Sequence, residues 1–226
     1  MINEKNNYFP KKYDVWECEN IFYLKSHPSR INKFLSRYEL YKKIKNLPGC
    51  LIECGVYKES SLMQWAHFRK ILEKNERRKI YAFDSFSFFP KKGIKELDDK
   101  KFIENFPFDD GGGVSISQST LKKMINLKNF SNINLIKGNI FNTLKKFIEK
   151  NSDTKIALLH LDLDVYEPTS YVLNILHKYM IKGGLIILDD YSTVKGATRA
   201  ANEFIKKNKL KIKRTKFNKT PFFIKI

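Results

Sequence analysis

Short apolar runs alternate with longer amphipathic stretches through most of the chain. The apolar runs lie at residues 50–56, 80–86, 133–136, 156–165 and 185–188. Stretches with the helical period of apolar positions lie at residues 28–45, 60–74, 120–127, 144–150, 169–180 and 197–207. Because strands that alternate with helices connect in parallel, this order predicts an α/β fold with a parallel sheet and helices on both of its faces.

Three parts of the chain depart from this alternation. Residues 210–216 and 222–226 predict a terminal antiparallel hairpin. Residues 1–48 are polar and aromatic, and we interpret them as an N-terminal helical cap or lid ahead of a domain at residues 49–226. Residues 86–113 form an insertion longer than most loops of compact domains, which is typical of a lid or a binding loop.

The composition is that of a folded protein of one domain. Of the 226 residues, 42% are hydrophobic and 14% aromatic, which excludes global disorder. No apolar run approaches the roughly 20 residues of a membrane-spanning helix, and the N-terminus has no apolar stretch typical of a signal peptide. The three cysteines, Cys18, Cys50 and Cys54, form no CxxC pair. We therefore expect a reducing, cytoplasmic location and no membrane partner.

The formal net charge of +19 raises the question of a nucleic-acid partner. Only seven of the 43 basic residues are arginines. Because base readout and bidentate phosphate contacts favour arginine, the excess of lysine indicates solvated surface positions rather than a nucleic-acid surface. A small anionic substrate would also be attracted by such a field.

Acidic residues stand near the carboxyl ends of four predicted strands. They are Glu53 on the first, Asp84 on the second, Asp162 and Asp164 on the fourth, and Asp189 and Asp190 on the fifth. Ligands of open parallel sheets bind beyond these ends, so we expect the acids to converge on one edge. The alternation of a strand also places His160, Asp162 and Asp164 on one face.

Carboxylates that converge on one edge of a sheet oppose joint ionisation unless a cation lies among them. Mg²⁺ suits such a group because it takes one or two carboxylates together with waters and substrate oxygens. The acids therefore predict a divalent-cation site. The alternative is that they only cap the helices that follow the strands.

The turn after the first predicted strand is suited to a nucleoside cofactor without a pyrophosphate. It runs through Glu53, Cys54 and Gly55, with one glycine where a dinucleotide-binding turn has three. Asp84, at the end of the second strand, is a candidate for the ribose hydroxyls of that cofactor.

Four segments of the chain, in order, resemble the macrocin O-methyltransferase family. They are ECGVYKESS, YAFDSFSFFP, HLDLDVYEPTS and GGLIILDDYSTVKGATRAANEF, and the resemblance runs from about residue 50 to residue 206. Members of this family are S-adenosylmethionine-dependent sugar methyltransferases. The resemblance implies the class I methyltransferase fold, a Rossmann-like, mostly parallel sheet of seven strands that ends in an antiparallel hairpin.

The resemblance also implies roles for particular residues. The implied cofactor-binding residues are Glu53, Gly55, Asp84 and Ser85, the implied metal ligands are Asp162, Asp189 and Asp190, and the implied general base is Asp164. The implied cofactors are S-adenosylmethionine and Mg²⁺ or a similar divalent cation. The implied acceptor is a hydroxyl of a sugar or a sugar-bearing small molecule. Apart from the resemblance, the aromatic character of the N-terminal segment makes it a candidate lid or homodimer contact.

Three other functions fit parts of the sequence. Asp162-Leu163-Asp164 matches the DxD motif of metal-dependent nucleotide-sugar glycosyltransferases, although this motif explains neither Glu53 nor Asp84. A nucleic-acid methyltransferase would use the same cofactor and the positive charge, and it would bind RNA or DNA with a steep salt dependence. His160 and Asp162 with His177 would form the facial triad of an iron enzyme.

Overall fold

The computed structural model describes residues 15–58, 60–109, 113–217 and 221–226. Within these ranges the strands are β1 (Cys50–Cys54), β2 (Ile80–Asp84), β3 (Ile133–Lys137), β4 (Ile156–Leu161), β5 (Met180–Leu188), β6 (Ile212–Arg214) and β7 (Phe222–Lys225). They form one sheet in the order β3-β2-β1-β4-β5-β7-β6. Strands β1 to β5 are parallel, and β7 is antiparallel to both β5 and β6. This confirms the predicted α/β fold and its C-terminal hairpin.

The described helices are α1 (Val15–Lys25), α2 (Pro28–Ile44), α3 (Ser60–Leu72), α4 (Leu97–Asp109), α5 (Gln118–Leu127), α6 (Ile140–Lys150), α7 (Tyr166–Leu176) and α8 (Lys195–Lys207). Helices α1 and α4 were not delimited by the sequence pattern. They belong to the predicted cap and the predicted insertion, of which residues 1–14 and 110–112 lie outside the described chain. No described helix is both long and apolar enough to span a membrane.

Alternating strand residues send side chains to two separate cores. Leu51, Leu158 and Ile187 belong to the core that α2, α3 and α5 cover. Ile52 and Leu159 belong to the opposite core, under α6, α7 and α8. Both faces of the parallel part are therefore covered, as its continuous apolar runs predict.

Two strands differ from their predicted bounds because of backbone conformations that alternation does not reveal. Strand β4 ends at Leu161 rather than residue 165, and Asp164 has a left-handed backbone with φ of 60°. The predicted alternation therefore does not extend to Asp164. Strand β5 begins at Met180, and it includes Gly183, whose φ is 85°, next to a register shift in the pairing with β4.

Helix α2 is fixed to the sheet at its C-terminal end. Leu40 and Tyr41 are fully buried in the same core as Trp65 of α3. The guanidinium of Arg78 donates to the backbone carbonyls of residues 44, 45, 47 and 49, and its Nε lies 2.7 Å from Glu73. Because the orphan carbonyls of the helix end are satisfied this way, α2 has a defined position over the sheet.

Candidate functional site

A cleft lies at the carboxyl ends of the parallel strands. Its empty volume is about 710 Å³ with its open mouth included. Five of the predicted site residues line it, namely Gly55, Asp84, Ser85, Asp162 and Asp164. The other three, Glu53, Asp189 and Asp190, are buried residues of the same sheet edge.

The turn after β1 packs directly on the end of β4. Gly55 has a φ of 91°, and a Cβ atom there would lie 1.8 Å from the backbone oxygen of Asp162. Asp162 in turn donates its backbone N–H to the carbonyl of Cys54 at 2.9 Å. Only glycine fits both the conformation and the close approach. The turn and Asp162 therefore form one rigid wall of the cleft.

Asp84 organises the backbone of two turns. Its Oδ2 accepts the N–H groups of Val56 and Tyr57 at 2.8 and 3.0 Å, and its Oδ1 accepts the N–H of Phe86 at 2.6 Å. The hydroxyl of Ser85 also donates to Oδ1, at 3.4 Å, and this longest of the four contacts is the one that a ligand hydroxyl would replace. Asp84 thus joins the turn after β1 to the start of the insertion.

A row of polar side chains crosses β1, β4 and β5 on the α2 side of the sheet. Glu53 and His160 are register partners, and Glu53 Oε1 lies 2.8 Å from His160 Nδ1. His160 Nε2 lies 3.4 Å from Asp189 Oδ1. Glu53 Oε2 is buried and has no hydrogen-bond partner among the described residues. The row links the turn after β1 to the acids after β5.

His160 is expected to carry a proton on each ring nitrogen at neutral pH. Burial alone would lower its pKa, but hydrogen bonds with Asp189 and Glu53 raise the pKa to about 9. The resulting stabilisation is complete below the unfolded pKa of about 6.5 and is lost as pH rises through about 9. The difference in unfolding free energy between wild type and His160→Gln should therefore shrink across this window in denaturant titrations. A constant difference would contradict the assignment.

Helix α2 supplies two cations to Asp189. The Lys33 ammonium contacts Asp189 Oδ2, and Arg37 Nη2 lies 3.1 Å from Asp189 Oδ1. Burial alone would raise the pKa of Asp189, but Arg37, His160 and Lys33 hold it well below its usual range. Sequence reasoning missed both cations. The available signal was the position of Arg37 in the buried helical stripe with Leu40, one turn after Lys33.

Asp162 belongs to two groups of potential metal ligands. Carboxylate oxygens of Asp162, Asp164 and Asp190 lie within 4.8 Å of one another, and ligand atoms of Asp162, His160 and Asp189 form a second group within the same distance. Burial and the neighbouring aspartates raise the pKa of both Asp162 and Asp190 well above the usual range. A bound cation would relieve this repulsion.

The insertion closes one side of the cleft. Phe89 and Phe106 line it, with their ring centroids 5.7 Å apart. Glu167 accepts the backbone N–H groups of residues 95 and 96, and Asp99 accepts the N–H of Tyr166 at 2.7 Å. Arg199 is paired with Glu96 of the insertion at 3.0 Å. These contacts attach the insertion to the helices that follow β4 and β5.

Comparisons with solved structures find the same fold elsewhere. CalS11, a calicheamicin methyltransferase, is 24% identical, with a TM-score of 0.78 over 95% of this chain and 86% of that one. The O-methyltransferase NovP is 18% identical, with a TM-score of 0.73 over 86% of this chain and 79% of that one. A putative rRNA methylase from Clostridium thermocellum is 16% identical, with a TM-score of 0.52 over 86% and 98%. The curated proteins include no match to the chain.

The family comparison covers most of the chain. The family described as macrocin O-methyltransferase (TylF) matches residues 30–225. This match rules out the glycosyltransferase interpretation of Asp162-Leu163-Asp164. His177 lies in the turn after α7, where its ring packs on Phe204, so the structure lends no support to the iron triad. The chain belongs to the macrocin O-methyltransferase family, and it is an S-adenosylmethionine-dependent O-methyltransferase with the class I methyltransferase fold.

Proposed function

We propose that this enzyme methylates a hydroxyl of a sugar or sugar-bearing small molecule with the help of Mg²⁺ or a similar divalent cation. The observation that carries the proposal is that Asp162 belongs to two parts of the site. Its backbone oxygen lies against Gly55, and its carboxylate lies in the group with Asp164 and Asp190. The methyl donor and the acceptor hydroxyl would thus meet at one residue. CalS11, which shares the fold, is described as a TDP-rhamnose 3′-O-methyltransferase. A cytoplasmic location and a homodimer contact through residues 1–48 stay predictions.

The charge balance of the site supports a divalent cation. Five carboxylates, those of Glu53, Asp162, Asp164, Asp189 and Asp190, are grouped with three cationic side chains, those of Lys33, Arg37 and His160. With all five carboxylates ionised, the group keeps a net negative charge, which attracts a divalent cation. Asp162 would hold it with Asp190 and Asp189, which lie in two separate groups that share Asp162, because carboxylate oxygens are the ligands that Mg²⁺ prefers.

The cofactor would lie in the cleft between the turn after β1 and the insertion. Gly55 leaves room beside Asp162, while Asp84 and Ser85 would bind the ribose hydroxyls. Glu53 would face the methionine part, because its buried Oε2 is an acceptor without a partner among the described residues. A buried acceptor of this kind is costly unless a ligand or water satisfies it.

The reaction would be an in-line displacement. The carbon–sulfur bond of the methyl donor breaks as the acceptor oxygen forms its bond to carbon, and S-adenosylhomocysteine leaves. When bound, the cation would lower the pKa of the acceptor hydroxyl and orient it. Asp164, on the cleft wall, would accept the proton of that hydroxyl. Phe89 and Phe106 would exclude water from the reacting atoms.

Cofactor binding should depend strongly on Asp84. We expect Asp84→Ala to weaken the binding of S-adenosylhomocysteine about 10- to 100-fold, the cost of losing hydrogen bonds to a charged group. Titration calorimetry measures this directly, and thermal unfolding reports how much of the effect is loss of the turn itself. Asp153→Ala is the control, because Asp153 is exposed and lies outside the residues that line this cleft. Equal affinities in wild type and Asp84→Ala would contradict the proposed cofactor site.

A further inference from the structure

The two α2 cations on Asp189 differ in how firmly they are held. We propose that Lys33 is an exchangeable counter-ion, which leaves Asp189 when a divalent cation binds, whereas Arg37 stays as its permanent partner. The inference rests on the metal part of the proposed function. It assigns the N-terminal helix α2 a part in controlling occupancy of the metal site.

Arg37 has the contacts of a fixed residue. Its side chain is 5% exposed, and its two terminal nitrogens lie 3.1 Å from Asp189 Oδ1 and 3.1 Å from Gln64 Oε1 of α3. A planar guanidinium with two such partners loses both when it moves. Ser36, the preceding residue, is also tied down, by a 2.6 Å hydrogen bond to Thr215. Arg37 therefore orients Oδ1 of Asp189 whether or not a metal is bound.

Lys33 has the contacts of a movable residue. Its side chain is 24% exposed and lies one helical turn before Arg37, and its ammonium contacts Oδ2, the other oxygen of Asp189. A lysine ammonium is strongly hydrated and sits on a flexible stem, so it reaches water at little cost. Leaving Asp189 thus requires no change in the helix.

Lys33 also acts where the charge of a metal would act. Its ammonium contacts Asp189, and Asp189 shares with Asp162 a group of potential ligand atoms that lie within 4.8 Å of one another. Asp162 and Asp189 are, with Asp190, the proposed metal ligands. A divalent cation among them would supply the same compensation with twice the charge, and it would repel the ammonium at Oδ2. The two cations therefore compete for Asp189.

The test is a Mn²⁺ titration of the full-length protein, with free Mn²⁺ measured by electron paramagnetic resonance. We expect Lys33→Gln to bind Mn²⁺ about fivefold more tightly than wild type, the effect of removing one partly exposed ion pair. Lys42→Gln is the matched control. It removes the same charge from the same helix, where Lys42 pairs with Glu39 at 3.0 Å, and it should leave the affinity unchanged.

A second readout separates displacement from simple repulsion. Acetylation by a lysine-specific reagent, followed by mass spectrometry, should show Lys33 becoming more reactive when Mn²⁺ is added, while Lys42 stays the same. Unchanged reactivity of Lys33, or equal or weaker Mn²⁺ binding by Lys33→Gln, would overturn the inference. If neither protein binds Mn²⁺ but both bind S-adenosylhomocysteine, the inference and the metal part of the proposal fail while methyl transfer stands.

Discussion

Asp164→Asn is expected to bind S-adenosylhomocysteine as wild type does but to transfer the methyl group about 10²- to 10⁴-fold more slowly, the usual contribution of a general base. Asp164 lines the cleft, and it has a φ of 60°. Asparagine, like aspartate, adopts this left-handed conformation more readily than most residues with a side chain, so the substitution removes the base with little strain. The backbone N–H of residue 164 would still donate to Asp190, as it does at 2.9 Å.

The measurement is turnover at saturating cofactor and Mg²⁺, together with Mn²⁺ affinity. Because the carboxylate of Asp164 lies in the same acidic group as those of Asp162 and Asp190, a metal ligand and a base must be distinguished. If Asp164 is the general base, Asp164→Asn should lose turnover while its Mn²⁺ affinity stays close to that of wild type. Turnover at the wild-type rate would rule out Asp164 as the base, and a large loss of Mn²⁺ affinity would make it a ligand.

Gly55→Ala is expected to lower the free energy of unfolding by about 3 kcal/mol or more, because backbone strain and overpacking add at one position. The new Cβ would lie 1.8 Å from a backbone oxygen, so either the turn after β1 or the end of β4 must move. Either movement distorts the wall of the cleft. Binding of S-adenosylhomocysteine should therefore be lost in the fraction of the variant that folds.

Gly183→Ala is the control for the strain alone. Gly183 has a φ of 85°, and a Cβ there would meet only the side chain of Leu47, at 3.5 Å, an ordinary contact distance. We expect a loss of about 1 kcal/mol for this variant, from backbone strain without a collision. Urea unfolding of both variants gives the comparison. Equal losses would show that the approach of Gly55 to Asp162 is not what requires glycine.

The sheet could be predicted because buried parallel strands are continuous apolar runs separated by amphipathic helices. The strand ends could not be predicted in the same way. Asp164 follows the alternation of His160 and Asp162 in the sequence, but its left-handed backbone takes it out of the strand. Residues 180–184 contain two glycines that are typical of a turn, yet they continue β5.

The acidic part of the site could be predicted because the carboxyl ends of parallel strands share one edge. Its cationic part could not, because no local pattern links a helix to an acid so distant in the chain. Lys33 and Asp189 are 156 residues apart, and Arg37 and Asp189 are 152 apart. The charged position of Arg37 in an apolar helical stripe was the only local sign that it has a buried partner.

The most direct test of the proposed function is methyl transfer from radiolabelled S-adenosylmethionine to a set of nucleotide sugars that includes TDP-rhamnose, with RNA as a competing acceptor. The same reactions are run in EDTA and after Mg²⁺ is restored. We predict label on a sugar hydroxyl, lost in EDTA and recovered with Mg²⁺. Label on RNA and on none of the sugars would contradict the acceptor class, and equal transfer in EDTA would contradict the metal-assisted site.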